Sequence, residues 1–425
     1  MWCSQERVRH GRRRMTGISE HHMSGILIIG ASHSGVAAAT ALRTAKYDGC
    51  IKLVTQENVL PYHRPPLSKE ALSRDEFTPT LLRPASFYAS NEIDLVQGVK
   101  IVELNLEERY ASAENGDRFS YDRLILAQGA EPRRLPPSVD AGAVAHYLRT
   151  YEDLAALKAR LSAARSVVIV GGGLIGMEIA AIALAKGLEV TVIEAGPRLM
   201  ERTVSKSIAN YLLDRHLNKG LQIRLGSAVS SIRRDEDRSV DLVTLGGGEQ
   251  IEADIVVVAI GAAPHEKLAR DAGLKVENGI LVSEAGLSSD PAVYAVGDCS
   301  AWYDPDLGRH IRNEAVNPGQ DQAKIVALAI TGTELPAKRL PRYWSHQAAI
   351  QLQMSGDVNG TDMEAVLNAP ASGAFSVLGF RNDRLVAVQT INAPRQFGKL
   401  HDMIGMDRAS LAAALDVEFP PPHHH

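Results

Sequence analysis

Val167-Val-Ile-Val-Gly171-Gly-Gly-Leu-Ile-Gly176 decides how this chain is read. Four consecutive apolar residues describe a strand buried on both faces, as in a parallel sheet. The glycines follow at once, and an Ala/Ile-rich stretch continues to Lys186 as a helix. In this strand–turn–helix spacing Gly171 makes the tight turn, Gly173 lets the backbone approach a pyrophosphate, and Gly176 allows the helix to pack close. Leu174 and Ile175 then open the helix, whose N–H groups and dipole favour phosphate. A second strand, Glu189–Ile193, ends beside Glu194, 18 residues beyond Gly176, where an acid receives ribose hydroxyls.

The same pattern occurs earlier. Ile26–Ile29 runs into Gly30-Ala-Ser-His-Ser-Gly35, an Ala-rich helix over Val36–Lys46, a strand over Ile51–Thr55 and then Glu57. Ser32 replaces the middle glycine; its hydroxyl can donate to a phosphate oxygen in return for the closer approach it prevents. Ala127-Gln-Gly-Ala-Glu-Pro132 and Ala259-Ile-Gly-Ala-Ala-Pro264 repeat one A-x-G-A-x-P motif after apolar strands. The chain therefore reads as two related dinucleotide-binding units. Glu194 accepts from a ribose 2′-hydroxyl and repels a 2′-phosphate, which favours NADH over NADPH. Arg198 and Arg202 follow; arginines there can accommodate a 2′-phosphate, but pyrophosphate contacts or surface exposure are the preferred reading.

The wider composition fits. The 425 residues suffice for two or three domains, and 46 basic against 50 acidic side chains give a net charge of −4, no basis for a nucleic-acid partner. Only Cys3, Cys50 and Cys299 occur, which excludes a disulfide scaffold, a cysteine-rich metal site and a CxxC dithiol, and no metal is expected. The apolar run Val167–Ala185 is interrupted by Glu178 and four glycines and is not read as a membrane span. Residues 1–22, with five arginines and two glutamates, read as a disordered extension, and 423–425 as a tag remnant. The cytoplasm is the expected compartment, with no membrane association.

Two dinucleotide sites in one chain point to a bound flavin and a diffusible nicotinamide. Ser288-Ser-Asp-Pro-Ala-Val-Tyr-Ala-Val-Gly-Asp298, a turn, short strand and Gly-Asp, can bring a carboxylate to a flavin's ribityl hydroxyls.

With Leu60-Pro-Tyr-His-Arg-Pro-Pro-Leu-Ser-Lys69, Gly171–Glu178, Ser288–Asp298, Arg312-Asn-Glu-Ala-Val-Asn317, Trp344-Ser345 and Asn392-Ala-Pro-Arg-Gln-Phe397, the chain resembles the FAD-dependent ferredoxin reductases of bacterial oxygenase systems, from about residue 24 to 418. The resemblance implies an α/β, glutathione-reductase-like fold: two Rossmann-type dinucleotide-binding domains plus a C-terminal α+β domain. The FAD domain would be discontinuous, 23–134 and 263–332, around an NAD domain, 135–262, with the α+β domain over 333–422. It implies FAD contacts from Gly30, Ser32, Gly35, Glu57, Arg64, Lys69, Ile101, Ala127, Gly129, Asp298 and Val316. NAD contacts would come from Gly171, Gly173, Leu174, Ile175, Gly176, Glu178, Glu194, Arg202 and Gly261. Lys69 would lie beside the flavin and pair with Glu178, which is expected to open the nicotinamide-side helix. Glu314 would approach the nicotinamide, and Trp344, preceded by Lys338, Arg339 and Arg342, the flavin edge where an acidic [2Fe–2S] ferredoxin docks. A monomer or weak homodimer is expected.

Gln128, His265, His346, Ala348 and Ala349 depart from the family pattern, the last three near the expected docking face. Two other readings keep the fold: a disulfide, peroxide or oxygen reductase, which needs a redox cysteine where Pro61–Lys69 has none, and an NADH-sensing interaction protein like the apoptosis-inducing flavoproteins.

Overall fold

The computed structural model describes residues 25–337 and 339–419. The expectations for residues 1–22, Lys338 and 423–425 fall outside them.

Five parallel strands form the first sheet, in the order Val293–Ala295, Arg123–Leu126, Ile26–Ile29, Ile51–Val54, Ile93–Val96. Every residue of Ile26–Ile29 is buried, as the uninterrupted apolar run requires of a central parallel strand. The helix His33–Thr44 lies over this sheet and packs along Val316–Thr331. Ser34 fills the space between them: a Cβ on either Gly297 or Gly319 would overlap its Oγ. The first helix begins at His33 rather than Val36, because Gly35 must already be helical to sit against the carbonyl of Gly30.

The second sheet repeats the design with four parallel strands, Gln222–Arg224, Glu189–Ile193, Ser166–Val170 and Ile255–Val258. The chain enters this unit through Ala130–Pro132 and leaves it through Ala262–Pro264, and these two segments pair antiparallel. The two A-x-G-A-x-P motifs thus form adjoining entrance and exit. After the exit the chain returns to add Val293–Ala295 to the first sheet.

Residues from Arg342 onward form a five-stranded antiparallel sheet, ordered Arg342–Gln347, Ile350–Gly356, Arg384–Ile391, Phe375–Arg381, Met363–Leu367. Phe397, Leu400 and Leu411, from the helices Pro394–His401 and Arg408–Leu415, close one face over Phe380, Leu385 and Val388. The other face carries Leu352, Phe375 and Ile391 into a core shared with the second nucleotide unit. The fold is the expected α/β architecture with a C-terminal α+β domain. Among the described residues no helix is long and apolar enough to cross a membrane.

Candidate functional site

The two glycine turns stand at the carboxyl ends of the central strands, where the order of each parallel sheet reverses and ligands of such sheets bind. Gly30 and Gly171 adopt φ of +107° and +111°, and a Cβ on either would overlap the carbonyl of Ala127 or Ala259. Each turn is therefore seated on an A-x-G motif. Gly35 and Gly176 would likewise overlap the carbonyls of Gly30 and Gly171. The middle position differs, since a Cβ on Gly173 meets nothing within 4 Å and Ser32 carries its side chain at an ordinary φ of −91°. No packing within the protein requires a small residue there. Neither following helix has a side-chain cap, whereas Thr150, Ser205 and Asp407 cap theirs. The first-turn N–H groups are left for another acceptor, a fit for a phosphate.

Beside the first turn, Ala31, Ser32, Thr55, Glu57, Val59, Pro61, Tyr62 and Arg64 line a shallow cleft. Arg64 organises it, donating from Nε to Ser32 Oγ at 2.9 Å and from Nη1 to the Arg149 carbonyl at 2.8 Å, with Nη2 paired to Glu57. The Tyr62 hydroxyl also donates to Glu57, at 2.8 Å, and burial pushes its pKa up to about 12. Because Ser32 accepts from Arg64, its own proton remains available, as donation to a phosphate oxygen requires. Asp298 is held by Arg149 at 2.9 Å, a partner that no local sequence pattern selects.

Histidines stand beside this cleft. His33 lies 3.3 Å from His63, and burial, then His63, Arg64 and Arg149, lower its pKa to about 3. His265, which donates its N–H to the Gly129 carbonyl, is also lowered, chiefly by burial. Two buried polar atoms here, Gln128 Oε1 and Arg312 Nε, have no partner among the described residues, so the region retains hydrogen-bonding capacity for a polar ligand. Val316 begins the long helix, also uncapped by a side chain. Ile101 is different: its side chain is buried in the core of the first unit, leaving only backbone to offer.

Glu178 is the fifth residue of the helix Leu174–Ala185 and does not open it; the first turn holds no acid. Only 2% exposed, it takes four hydrogen bonds. Oε2 accepts from Lys69 Nζ at 2.8 Å and Ser68 Oγ at 2.6 Å, and Oε1 from Ser345 Oγ at 2.6 Å and the His346 N–H at 3.2 Å. A carboxylate out of water needs such complete partnering. Lys69, 13% exposed at its side chain, also donates to the Pro65 carbonyl. The sequence marked Lys69 and Glu178 as a pair but passed over Ser68 and Ser345, whose hydroxyls carry no local pattern.

In the second unit Glu194 accepts from the N–H groups of Gly172 and Gly196, each at 2.7 Å, which fixes the carboxylate over the glycine turn. Arg198 is spent on the carbonyls of Val204 and Glu201, which removes it from consideration. Arg202 is exposed and lies beside Gly261, whose φ is +104°. Ile175 is 48% exposed at the head of the helix, next to Leu174. Glu314, exposed, pairs with Arg312 at 2.6 Å. Trp344 is half-buried and shares the outer face of its strand with Arg342 and His346, while Tyr343, Ser345 and Gln347 face inward. Ala348 and Ala349 form the two-residue turn of the hairpin that follows, Ala348 at φ +55°. Three of the five departures from pattern therefore fall on one hairpin tip.

Neither remaining cysteine in the described residues lies near Lys69 in sequence, and Cys299 is fully buried with its thiol pushed up to about 11 by burial.

The sequence matches a family model described as pyridine nucleotide-disulphide oxidoreductase over residues 24–323, and a reductase C-terminal model over 342–419. It is 38% identical to a rubredoxin-NAD(+) reductase of Pseudomonas putida over 88% of this chain and 97% of that protein. It is 35% identical to the ferredoxin–NAD(+) reductase component of an anthranilate 1,2-dioxygenase system of Burkholderia cepacia, over 89% of this chain and 93% of that protein. Among solved structures, the covalent putidaredoxin reductase–putidaredoxin complex aligns with a TM-score of 0.86 at 33% identity, covering 91% of this chain and 95% of the other.

Proposed function

This chain belongs to the pyridine nucleotide-disulphide oxidoreductase family, and from that premise we propose that it is an NADH-dependent ferredoxin reductase, delivering electrons through FAD to a [2Fe–2S] ferredoxin that feeds an oxygenase. The observation that carries the reading is the Lys69–Glu178 pair, which joins the segment after the first glycine turn to the helix after the second, with no thiol in Pro61–Lys69. Disulfide reduction needs an accessible, low-pKa cysteine, and Cys299 is the reverse.

The chemistry that bound FAD would supply is acceptance of a hydride from NADH and release of its two electrons singly to two one-electron carriers, with loss of a proton. The chain's residues arrange that exchange. In the FAD domain, taken as 23–134 and 263–332, the uncapped helix after Gly30–Gly35 holds the pyrophosphate with Ser32 and Arg64, and Glu57 takes the adenosine ribose. Asp298, steadied by Arg149, receives the ribityl hydroxyls, with Ala127, Gly129, the Ile101 backbone and Val316 along the wall. In the NAD domain, 135–262, Gly173 and the N–H groups opening at Leu174 and Ile175 take the second pyrophosphate, with Arg202 and Gly261 at the groove. Glu194 accepts from the 2′-hydroxyl, so NADH is preferred. Lys69 places an ammonium where negative charge accumulates on reduction, and Glu178 and Glu314 face the nicotinamide side. Trp344, Arg339 and Arg342 face an acidic partner. Relatives are named for rubredoxin as well as ferredoxin, so both iron proteins belong in the assay. Cytoplasmic location and a monomer or weak homodimer complete the reading.

Anaerobic mixing with NADH should bleach the flavin, and NADH should then drive cytochrome c reduction that depends on added ferredoxin, with NADPH far less effective. Cys50→Ser with Cys299→Ser should retain this activity. A flavin left oxidised by NADH, or activity abolished by removing the two thiols, refutes the assignment.

A further inference from the structure

Ser345 lies on the outermost strand of the C-terminal sheet, remote in sequence from both nucleotide turns, yet its hydroxyl reaches the buried carboxylate between them. It is 0% exposed and donates to Glu178 Oε1 at 2.6 Å. The strand Arg342–Gln347 is an edge strand, paired among the described residues only with Ile350–Gly356, so an N–H on its other side has no ladder partner there. The His346 N–H is satisfied by the same Oε1, at 3.2 Å. Two donors from the C-terminal domain thus fix one carboxylate oxygen, while Ser68 and Lys69 from the first unit fix the other.

We propose that Ser345 is a positioning residue for nicotinamide oxidation, acting through Glu178. With Oε1 anchored by two donors, at 2.6 and 3.2 Å, Oε2 has a single orientation in which to hold the Lys69 ammonium. Without the Ser345 hydroxyl, Oε1 keeps one long donor from the backbone, and the carboxylate can rotate, taking Lys69 with it.

General docking of the domain does not depend on Ser345. Glu364 accepts from the N–H of Lys206 and from Ser207 Oγ, Gln389 bridges the Ser205 N–H and the Thr203 carbonyl, and Gln347 meets His216 at 2.8 Å. These contacts clamp both ends of the helix Lys206–Leu217 to the sheet. Loss of one hydroxyl should therefore leave the domain seated and disturb Glu178 alone.

The inference rests on the reductase reading, and the test separates the two. The FAD-loaded wild type, Ser345→Ala, Ser345→Cys and Glu364→Gln are mixed anaerobically with NADH in stopped flow, and amide exchange of the peptide Trp344–Gln347 is followed by mass spectrometry. Ser345→Cys keeps the side-chain volume with a weak donor and serves if the alanine variant does not fold. Both Ser345 variants should reduce the flavin roughly tenfold more slowly and exchange the His346 amide about tenfold faster, the size expected for a hydrogen bond to a charged group. Glu364→Gln, which loosens docking away from Glu178, should reduce at the wild-type rate. Wild-type rates and exchange in both Ser345 variants overturn the inference and leave the reductase reading intact. Equal slowing by Glu364→Gln also overturns it, because domain seating would then explain the effect. A wild type that NADH does not reduce would instead sink the underlying reading.

Discussion

Replacing Lys69 by Met should be among the most destabilising single changes this chain can suffer outside its apolar cores. The substitution keeps length and apolar volume but leaves the Glu178 carboxylate, 2% exposed, without a counter-charge. Charges 2.8 Å apart attract by about 6 kcal/mol at an effective dielectric of ~20. Much of that offsets the cost of taking both groups out of water, so the measurable loss is about 3–5 kcal/mol, as for other broken buried pairs. Ser68, Ser345 and the His346 N–H remain and soften the loss without supplying charge. Adding Glu178→Gln to Lys69→Met should recover a large part of it: the uncompensated charge disappears, and the amide oxygen can still accept from the C-terminal strand. The assay is urea unfolding of the FAD-loaded proteins, followed by circular dichroism, with wild type, both single variants and the double variant forming a cycle. A Lys69→Met variant within about 1 kcal/mol of wild type, or a double variant no more stable than Lys69→Met, refutes the view that this ion pair neutralises a buried charge.

Two further outcomes follow from the turn geometry and the histidine pair. Gly176→Ala should destabilise the second unit and abolish NADH binding, since its Cβ overlaps the Gly171 carbonyl; Gly173→Ala, whose Cβ meets nothing within 4 Å, should leave unfolding within about 0.5 kcal/mol of wild type while raising KM for NADH. Thermal melting and NADH titration of the pair decide this, and equal effects on stability would refute it. His33 titrates near 3 in the fold against an ordinary 6.5, so below pH 6.5 the unfolded chain takes a proton that the fold refuses. Its burden is absent above pH 6.5 and grows to a few kcal/mol, roughly, as pH falls toward 3. Acid unfolding of cofactor-stripped His33→Leu should accordingly be flatter across that window than that of the parent, and superimposable curves would refute the assignment.

What was legible in the sequence was whatever the backbone alone demands. Gly30, Gly35, Gly171 and Gly176 could be picked out because each forbids a side chain for a reason contained in a ten-residue window, and the two windows match. The start of the first helix was misplaced by three residues for the same local reason, because His33 and Ser34 look like loop until the Gly35 contact is seen. The partners that complete the site lie beyond any window. Ser68 and Ser345 reach Glu178 across 110 and 167 positions, and Arg149 reaches Asp298 across 149. A lone serine or arginine carries no periodicity, so only the folded arrangement of sheets reveals it.

The same distinction bears on the positions expected to depart from the family pattern. Gln128 has its amide oxygen buried and without a partner among the described residues, so a group bound beside it would have to accommodate that oxygen. His346, Ala348 and Ala349 occupy an exposed hairpin tip, where side chains are free of packing constraints. The backbone beneath them is not free, for the His346 N–H is committed to Glu178 and Ser345 is fully buried. The outward-facing surface of the hairpin can therefore change with the partner while its inward face stays tied to the carboxylate. Under the proposed function, a different electron acceptor would act on side chains at 346, 348 and 349 without moving the pair at 69 and 178, where hydride transfer would need rigidity.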